Sequence, residues 1–129
     1  MQTDIEMSNY RLEKAAECLN DAKAAFQAER YSNAANRSYY CVFHSMRSVL
    51  ALESIDFKKH SAVIAYFSEH YIKSGKFEKS LSKIIKDLFR LRGKSDYDDF
   101  YVISKQDVAE QVENAELFFK QVKAFLSTH

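Results

Sequence analysis

The chain has 129 residues, of which 47% are apolar, and a formal net charge of +1, so we expect one domain with a real core and no intrinsic disorder. It contains no proline and only two glycines, which disfavours an all-β fold, and it has no apolar run of about 18 residues that would span a membrane. The N-terminus lacks the basic and apolar regions of a signal peptide, and both cysteines fall in helical patterns, so a cytoplasmic protein with reduced thiols is expected.

The first predicted helix runs from about Thr3 or Ser8 to Glu29. Thr3, followed by Glu6, matches a capping box at its start. Apolar residues recur at spacings of three and four, which is typical of a helix that packs on one face. These residues are Leu12, Ala15, Leu19, Ala22 and Phe26.

The second predicted helix starts near Ser32, a plausible N-cap, and ends at about Leu52. Its middle, from Tyr39 to Phe43, is apolar or aromatic on every side. A helix without a polar face is surrounded by neighbours, so this segment is predicted to be the central helix of the fold.

Three further helices are predicted. The third covers about 61–74 and stops at Gly75, and the fourth covers about 78–91 and ends by Gly93. An acidic, aromatic loop follows over 95–101, and the last helix begins at Ser104. The product is an all-α fold, an antiparallel bundle of four to five helices that forms a single domain over residues 1–129.

Arg37 and His44 are the first candidate site residues. Seven residues, at about 100° each, return to nearly the same face of a helix, with Asn36 beside them. Arginine can hold a phosphate with two hydrogen bonds, and an imidazole can move protons near neutral pH. Together they suffice for metal-free cleavage of an RNA phosphodiester by its own 2′-hydroxyl. In the commoner alternative, Arg37 pairs with an acidic residue at a helix end and His44 is a satisfied core histidine.

The fourth helix carries the second candidate site, a basic stripe with spacings of three and four. Its members are Lys76, Lys79, Lys83, Lys86 and Arg90. Such a ridge suits a phosphate backbone, and Lys79, Lys83 and Lys86 are predicted to contact RNA. The alternative is an ordinary solvated helix face. Acidic residues dominate from 96 to 116, so the charge split fits either a polyanion partner or two surfaces that meet in an oligomer.

Arg92 and Tyr97 close the fourth helix and are predicted to line a cleft between helices. The alternative is an ion pair that fixes the following loop. Two cysteines and four scattered histidines give no metal-ligand spacing, so neither a metal nor a cofactor is expected.

With these residues in view, the chain resembles the HEPN domain family (higher eukaryotes and prokaryotes nucleotide-binding), and most closely its short stand-alone prokaryotic members. The strongest marks are the segment from Tyr31 to Tyr40 and its continuation into Phe43-His44. The resemblance implies a helical bundle that usually forms a homodimer and is often encoded beside a minimal nucleotidyltransferase, as toxin and antitoxin. Active toxins of this kind are metal-independent endoribonucleases with an Arg-x(4–6)-His motif late in the chain.

This sequence departs from that motif, because Tyr97 stands five residues after Arg92 where the resemblance implies a histidine. Arg37 and His44 satisfy the spacing, but in the second helix. Two hypotheses follow. The chain is the HEPN component of a toxin–antitoxin pair that cleaves RNA, with Arg37 and His44 as the catalytic pair and Asn36 and Arg92 assisting. Alternatively, it is a non-catalytic module that binds a nucleotide, RNA or the nucleotidyltransferase partner.

Overall fold

A computed structural model describes the backbone of residues 2–97 and 103–129, and the side chains of residues 2–93 and 103–129. Every regular element in these ranges is helical, which confirms the predicted all-α bundle. The α-helices are α1 (Gln2–Gln27), α2 (Tyr31–Ala51), α3 (His60–Phe67), α4 (Ser80–Tyr97) and α5 (Lys105–Ser127). A π-helical turn, Ser68–Ile72, follows α3 directly. Within the described ranges, no helix is both long and apolar enough to cross a bilayer.

The helices α1 and α2 form an antiparallel hairpin. Ser8, near the start of α1, donates a hydrogen bond to the carbonyl of Ser48, near the end of α2, at 2.7 Å. Between them, the chain reverses at Glu29, whose φ is +61°. The Arg30 N–H bonds back to the carbonyl of Ala25 at 2.8 Å, which is the wide bond of a Schellman stop.

This tight turn corrects one predicted helix start, and the N-terminus of α1 corrects another. The helix α2 begins at Tyr31, so Ser32 lies inside its first turn and is not the N-cap. The N-cap position belongs to Arg30, whose side chain makes no capping hydrogen bond. At the other end, α1 already includes Gln2, so Thr3 is helical and the predicted capping box with Glu6 is wrong.

The helix α2 is the centre of the bundle, as predicted. Its neighbours α1, α4 and α5 all contact it, and Tyr39, Met46 and Leu50 are fully buried. Apolar spacing in the sequence predicts a buried stripe along the fourth helix, and all of its members are buried: Phe77, Leu81, Ile84, Leu88 and Leu91. In the last helix, the same spacing predicts Phe119 in the core, but Phe118 occupies that position and Phe119 is half-buried.

Two of the predicted boundaries in the second half hold and three shift, among them the start of α4, which lies at Ser80 and not at about 78. Gly75 has a φ of +89° and follows the π-helical turn, and Ser104 caps α5 by accepting a hydrogen bond from the Asp107 N–H at 3.1 Å. The third helix begins at His60, one residue early. The helix α4 continues through Gly93 to Tyr97. Gly93 ends nothing, because a glycine stops a helix only where the chain turns to positive φ.

Candidate functional site

A cleft between α1 and α2 brings the first candidate residues together. Its volume is about 350 Å³, and we call it the α1–α2 cleft. It is lined by Tyr10, Arg11, Lys14, Glu17, Cys18, Asp21, Arg37, His44 and Arg47. The predicted sharing of one face by Arg37 and His44 is therefore correct. The facing helix α1 adds further cations, which the pattern of α2 alone does not reveal.

Local contacts hold Arg37 in this cleft. Its Nε and Nη2 donate to the side-chain oxygen of Asn36 at 3.1 and 2.7 Å, and its Nη1 donates to the Cys18 sulfur at 3.7 Å. The guanidinium also lies 5.1 Å from the centre of the Tyr40 ring. No carboxylate in the described ranges forms an ion pair with Arg37, so the described residues give no support to the alternative of an acidic partner at a helix end.

His44 lies in an environment that opposes its protonation. Burial, followed by the nearby cations Arg47, Arg11, Arg37 and Lys14, lowers the pKa of His44 to about 4. The ring is therefore neutral at neutral pH. Its Nδ1 atom is buried and has no hydrogen-bond partner among the described residues. The alternative of a satisfied core histidine does not hold for this nitrogen.

Asp56 fixes two of the cleft cations. Its carboxylate accepts from Arg47 Nε at 3.2 Å, from Arg47 Nη2 at 2.8 Å and from Arg11 Nη2 at 3.3 Å. The hydrogen bond from Arg47 is the main reason that the pKa of Asp56 lies below its usual range. Sequence reasoning missed all three residues. Asp56 lies in the loop after α2, where helical spacing carries no information.

Arg92 faces α2 from the late helix α4. Its Nη2 donates to the Tyr40 hydroxyl at 3.2 Å, and its guanidinium lies 5.3 Å from the Tyr39 ring centre and 5.5 Å from that of Tyr40. Tyr40 therefore contacts both Arg37 and Arg92, which links the two predicted arginines. The side chain of Tyr97, the other predicted residue, lies outside the described residues.

A second depression, which we call the loop pocket, lies beside the α1–α2 cleft. It has a volume of about 370 Å³ and is lined by Phe43, Arg47, Asp56, Phe57, Lys58 and His60. His60 Nδ1 and the Tyr39 hydroxyl are 2.9 Å apart, and the His60 ring centre lies 4.0 Å from that of Phe43. Burial, followed by Arg92 and Arg47, lowers the pKa of His60. The sequence pattern predicts no functional role for His60, because it has no catalytic partner at a recognisable spacing.

The predicted basic stripe is shorter in the structure than in the sequence. Lys76 and Lys79 precede α4, which begins at Ser80. The helical ridge therefore consists of Lys83, Lys86 and Arg90, and we use the term α4 ridge for these three. Asp87 lies 2.6 Å from the Lys83 amino group and 3.6 Å from the Arg90 guanidinium, so it offsets part of the ridge charge.

Comparison with known proteins gives concordant matches. A family model described as the HEPN domain matches residues 8–125. A UPF0332 protein of Thermotoga maritima is 32% identical over 98% of this chain and 96% of its own length. A Methanocaldococcus jannaschii protein named "Putative toxin MJ0605" is 31% identical over 89% of this chain and 85% of its own length. A second protein of that organism, "Putative toxin MJ0142", is 28% identical over 89% of this chain.

Proposed function

This chain belongs to the HEPN domain family, and we propose that it is a toxin-like protein that binds RNA through the α1–α2 cleft. Two similar proteins carry the word toxin in their names. The observation that carries the RNA proposal is the cleft itself, where four cations surround a neutral imidazole. A phosphodiester is an anion of the size and charge that such a group of donors recognises.

Arg37 is the main phosphate ligand in this proposal. A guanidinium has five N–H groups. Asn36 accepts two of them and Cys18 a third, so one N–H remains on each terminal nitrogen. Two such N–H groups match two phosphate oxygens, and the Asn36 contact holds the guanidinium in position before the ligand arrives.

His44 completes the phosphate site as a hydrogen-bond donor. A buried acceptor without a partner costs less than a buried N–H without one, because orphaned N–H groups are the rarer of the two in proteins. Since Nδ1 is buried and unpartnered among the described residues, the proton is favoured on Nε2. A bound phosphate receives that hydrogen bond. Its negative charge also offsets the neighbouring cations, so RNA binding raises the pKa of His44.

Charge reversal at the mouth of the cleft tests this proposal. We expect Lys14→Glu to weaken binding of a labelled single-stranded RNA by about tenfold, as measured by fluorescence anisotropy at low salt. Lys14 is half exposed, so the change leaves the fold intact. Lys86→Glu, on the α4 ridge, makes the same charge change elsewhere and serves as the matched control. Equal losses of RNA affinity in both variants would mean that the cleft acts only through the net charge of the protein.

Endoribonuclease activity is the second candidate function. It is favoured by a neutral imidazole and a guanidinium in one cleft. In this reaction, His44 carries its proton on Nδ1, the opposite tautomer from the binding proposal, and its Nε2 takes the proton of the 2′-hydroxyl, whose oxygen attacks the phosphorus. The P–O5′ bond breaks and the 5′-oxygen leaves with a proton from water, while His44 returns its proton to solvent. The products are a 2′,3′-cyclic phosphate and a 5′-hydroxyl end. Arg37 stabilises the charge that develops on the phosphate oxygens.

RNA incubated with the protein in the presence of a chelator separates the two candidates. If His44 is the base, His44→Ala abolishes cleavage while RNA binding weakens only modestly. Cleavage by both proteins at the same rate would remove His44 from the mechanism. Binding without cleavage by the wild-type protein would leave the RNA-binding proposal and exclude the catalytic one under these conditions.

The proposal extends to the partners that the family resemblance implies. We expect a cytoplasmic homodimer that associates with a minimal nucleotidyltransferase encoded by a neighbouring gene. The position of Arg92, engaged by Tyr39 and Tyr40, supports a structural role for the late-helix arginine within this chain. Co-expression with the neighbouring gene tests the pairing by co-purification, and light scattering of the purified protein tests the dimer.

A further inference from the structure

We propose that the loop pocket holds an unpaired RNA base while the α1–α2 cleft holds a phosphate of the same strand. This inference rests on the proposed function and adds the class of substrate, which is single-stranded RNA. It follows from the contents of the loop pocket and from its position next to the cleft. Its volume, about 370 Å³, lies in the range of small-molecule sites, roughly 300–1,000 Å³.

Arg47 is the boundary between the two depressions, because it lines both. Two hydrogen bonds to Asp56 fix its guanidinium. The same guanidinium lies 5.6 Å from the ring centre of Phe43, on the wall of the loop pocket. A strand that places a phosphate near Arg37 and Arg47 therefore reaches the loop pocket with the attached nucleoside.

The loop pocket offers aromatic surface for stacking. Phe57 is 38% exposed, and of the described phenylalanines only Phe89 is exposed to a similar extent. The His60 ring is held by Tyr39 and packs on Phe43, so it is a rigid second aromatic wall. Stacking of bases on such side chains, next to cations that follow the backbone, is the common mode of single-strand binding. Lys58, exposed beside Phe57, supplies a further cation.

The state of Asp56 predicts that the pocket does not read the identity of the base. Each carboxylate oxygen already accepts two hydrogen bonds. Oδ1 accepts from Arg47 and from the Phe57 N–H, and Oδ2 accepts from Arg47 and Arg11. A carboxylate has about four acceptor positions, so none is left for an amino group of a base. Stacking then dominates, and stacking accepts every base.

The test compares Phe57→Ala with Phe89→Ala. Phe89, on α4, is the matched control because it is 41% exposed and lines neither depression. Its ring centre lies 5.8 Å from that of Tyr39, so this variant also shows whether a change beside Tyr39 alone affects binding. Each protein is titrated by fluorescence anisotropy with a labelled single-stranded RNA and with an abasic strand of the same length. We expect Phe57→Ala to raise the Kd for RNA by roughly tenfold and to leave the Kd for the abasic strand unchanged. Phe89→Ala should change neither value.

The outcomes separate this inference from the proposed function. If Phe57→Ala leaves RNA affinity unchanged, or weakens binding of both strands equally, the base site is wrong. If, in addition, Lys14→Glu weakens binding of both strands, the phosphate site in the cleft is supported without a base site. If only Phe57→Ala has an effect, the base site stands and the cleft fails. Wild-type protein that binds neither strand overturns both, and thermal unfolding of Phe57→Ala confirms that the variant is folded.

Discussion

The α1–α2 cleft and the α4 ridge are both basic, but their cations differ in what surrounds them. On the ridge, the side chains of Lys83 and Arg90 are 81% and 65% exposed, and both lie near Asp87. In the cleft, those of Arg11 and Arg47 are only 15% and 22% exposed, although both pair with Asp56. Exposed charges interact weakly because water and salt screen them, whereas half-buried charges act strongly on their neighbours.

The pKa of His44 reflects this difference between the cleft and the ridge. His44 lies where several half-buried cations meet, and its pKa is lowered to about 4. On the ridge, the hydrogen bond to Asp87 raises the pKa of Lys83. The number of cations along a helix is thus a poor guide to a binding site. Their convergence from two helices on one buried group is a better one.

The largest expected effect is a pH-dependent loss of stability through His44. Its pKa is lower in the folded chain, about 4, than the ordinary 6.5 of the unfolded chain. Its contribution is complete above 6.5 and is lost as the pH falls from 6.5 towards 4. Between about pH 7.5 and about pH 5 this amounts to about 2 kcal/mol of the free energy of unfolding.

Urea denaturation of the wild type and of His44→Gln at both pH values measures this loss. All other titratable groups are the same in both proteins. The difference between the two proteins in the free energy of unfolding lost on acidification therefore isolates His44. We expect the variant to lose about 2 kcal/mol less than the wild type on acidification. Equal losses of stability in the two proteins would mean that burial and the nearby cations do not oppose protonation of His44. The comparison with the ridge would then lose its basis.

The second prediction concerns RNA affinity. Hydrogen bonds to charged groups contribute about 1.5–3 kcal/mol, so Arg37→Ala should raise the Kd for single-stranded RNA by at least about tenfold. Arg90→Ala, which removes the same side chain from the ridge, should change the Kd by less than about twofold. Fluorescence anisotropy at fixed salt measures both. A larger effect at Arg90 would reverse the ranking of the two regions.

The third prediction concerns Lys79, Lys83 and Lys86, the three lysines that the sequence predicts to contact RNA. Neutralising Lys79, Lys83 and Lys86 together with glutamine should raise the Kd by only about threefold at low salt and by less at high salt. The slope of log Kd against log salt should decrease, because fewer phosphates are neutralised. A loss as large as that of Arg37→Ala, and persistent at high salt, would make the ridge an equal partner of the cleft.

The pattern of the sequence sufficed for the fold and for half of the cleft. Apolar spacing placed α2 at the centre, and a spacing of seven residues placed Arg37 and His44 on one face. Both follow from the geometry of a single helix. The contributions of Arg11 and Lys14 depend on how α1 packs against α2, which no single-helix pattern encodes. Asp56 and Phe57 come from a loop, where residue spacing does not fix direction.

The predicted end of α4 failed for a different reason. A glycine late in a helical pattern resembles a C-terminal stop, and Gly93 was interpreted so. In the structure, only Gly75 of the two has a positive φ, and α4 continues through Gly93. The sequence does not distinguish these cases, because glycine adopts both conformations readily.

The smallest expected effect tests this correction on the helix that carries the ridge. A Cβ atom added at Gly93 meets nothing within 4 Å. If Gly93 is helical, Gly93→Ala therefore removes the cost of a glycine in a helix and raises the free energy of unfolding by about 0.5 kcal/mol. If it were a stop at positive φ, alanine would be strained and the variant less stable. The sign of the change in thermal or urea unfolding thus decides between them. Gly75→Ala, strained at a φ of +89°, is the matched control and should lose stability. RNA affinity should remain unchanged in Gly93→Ala, because none of the described residues that line the α1–α2 cleft belongs to α4.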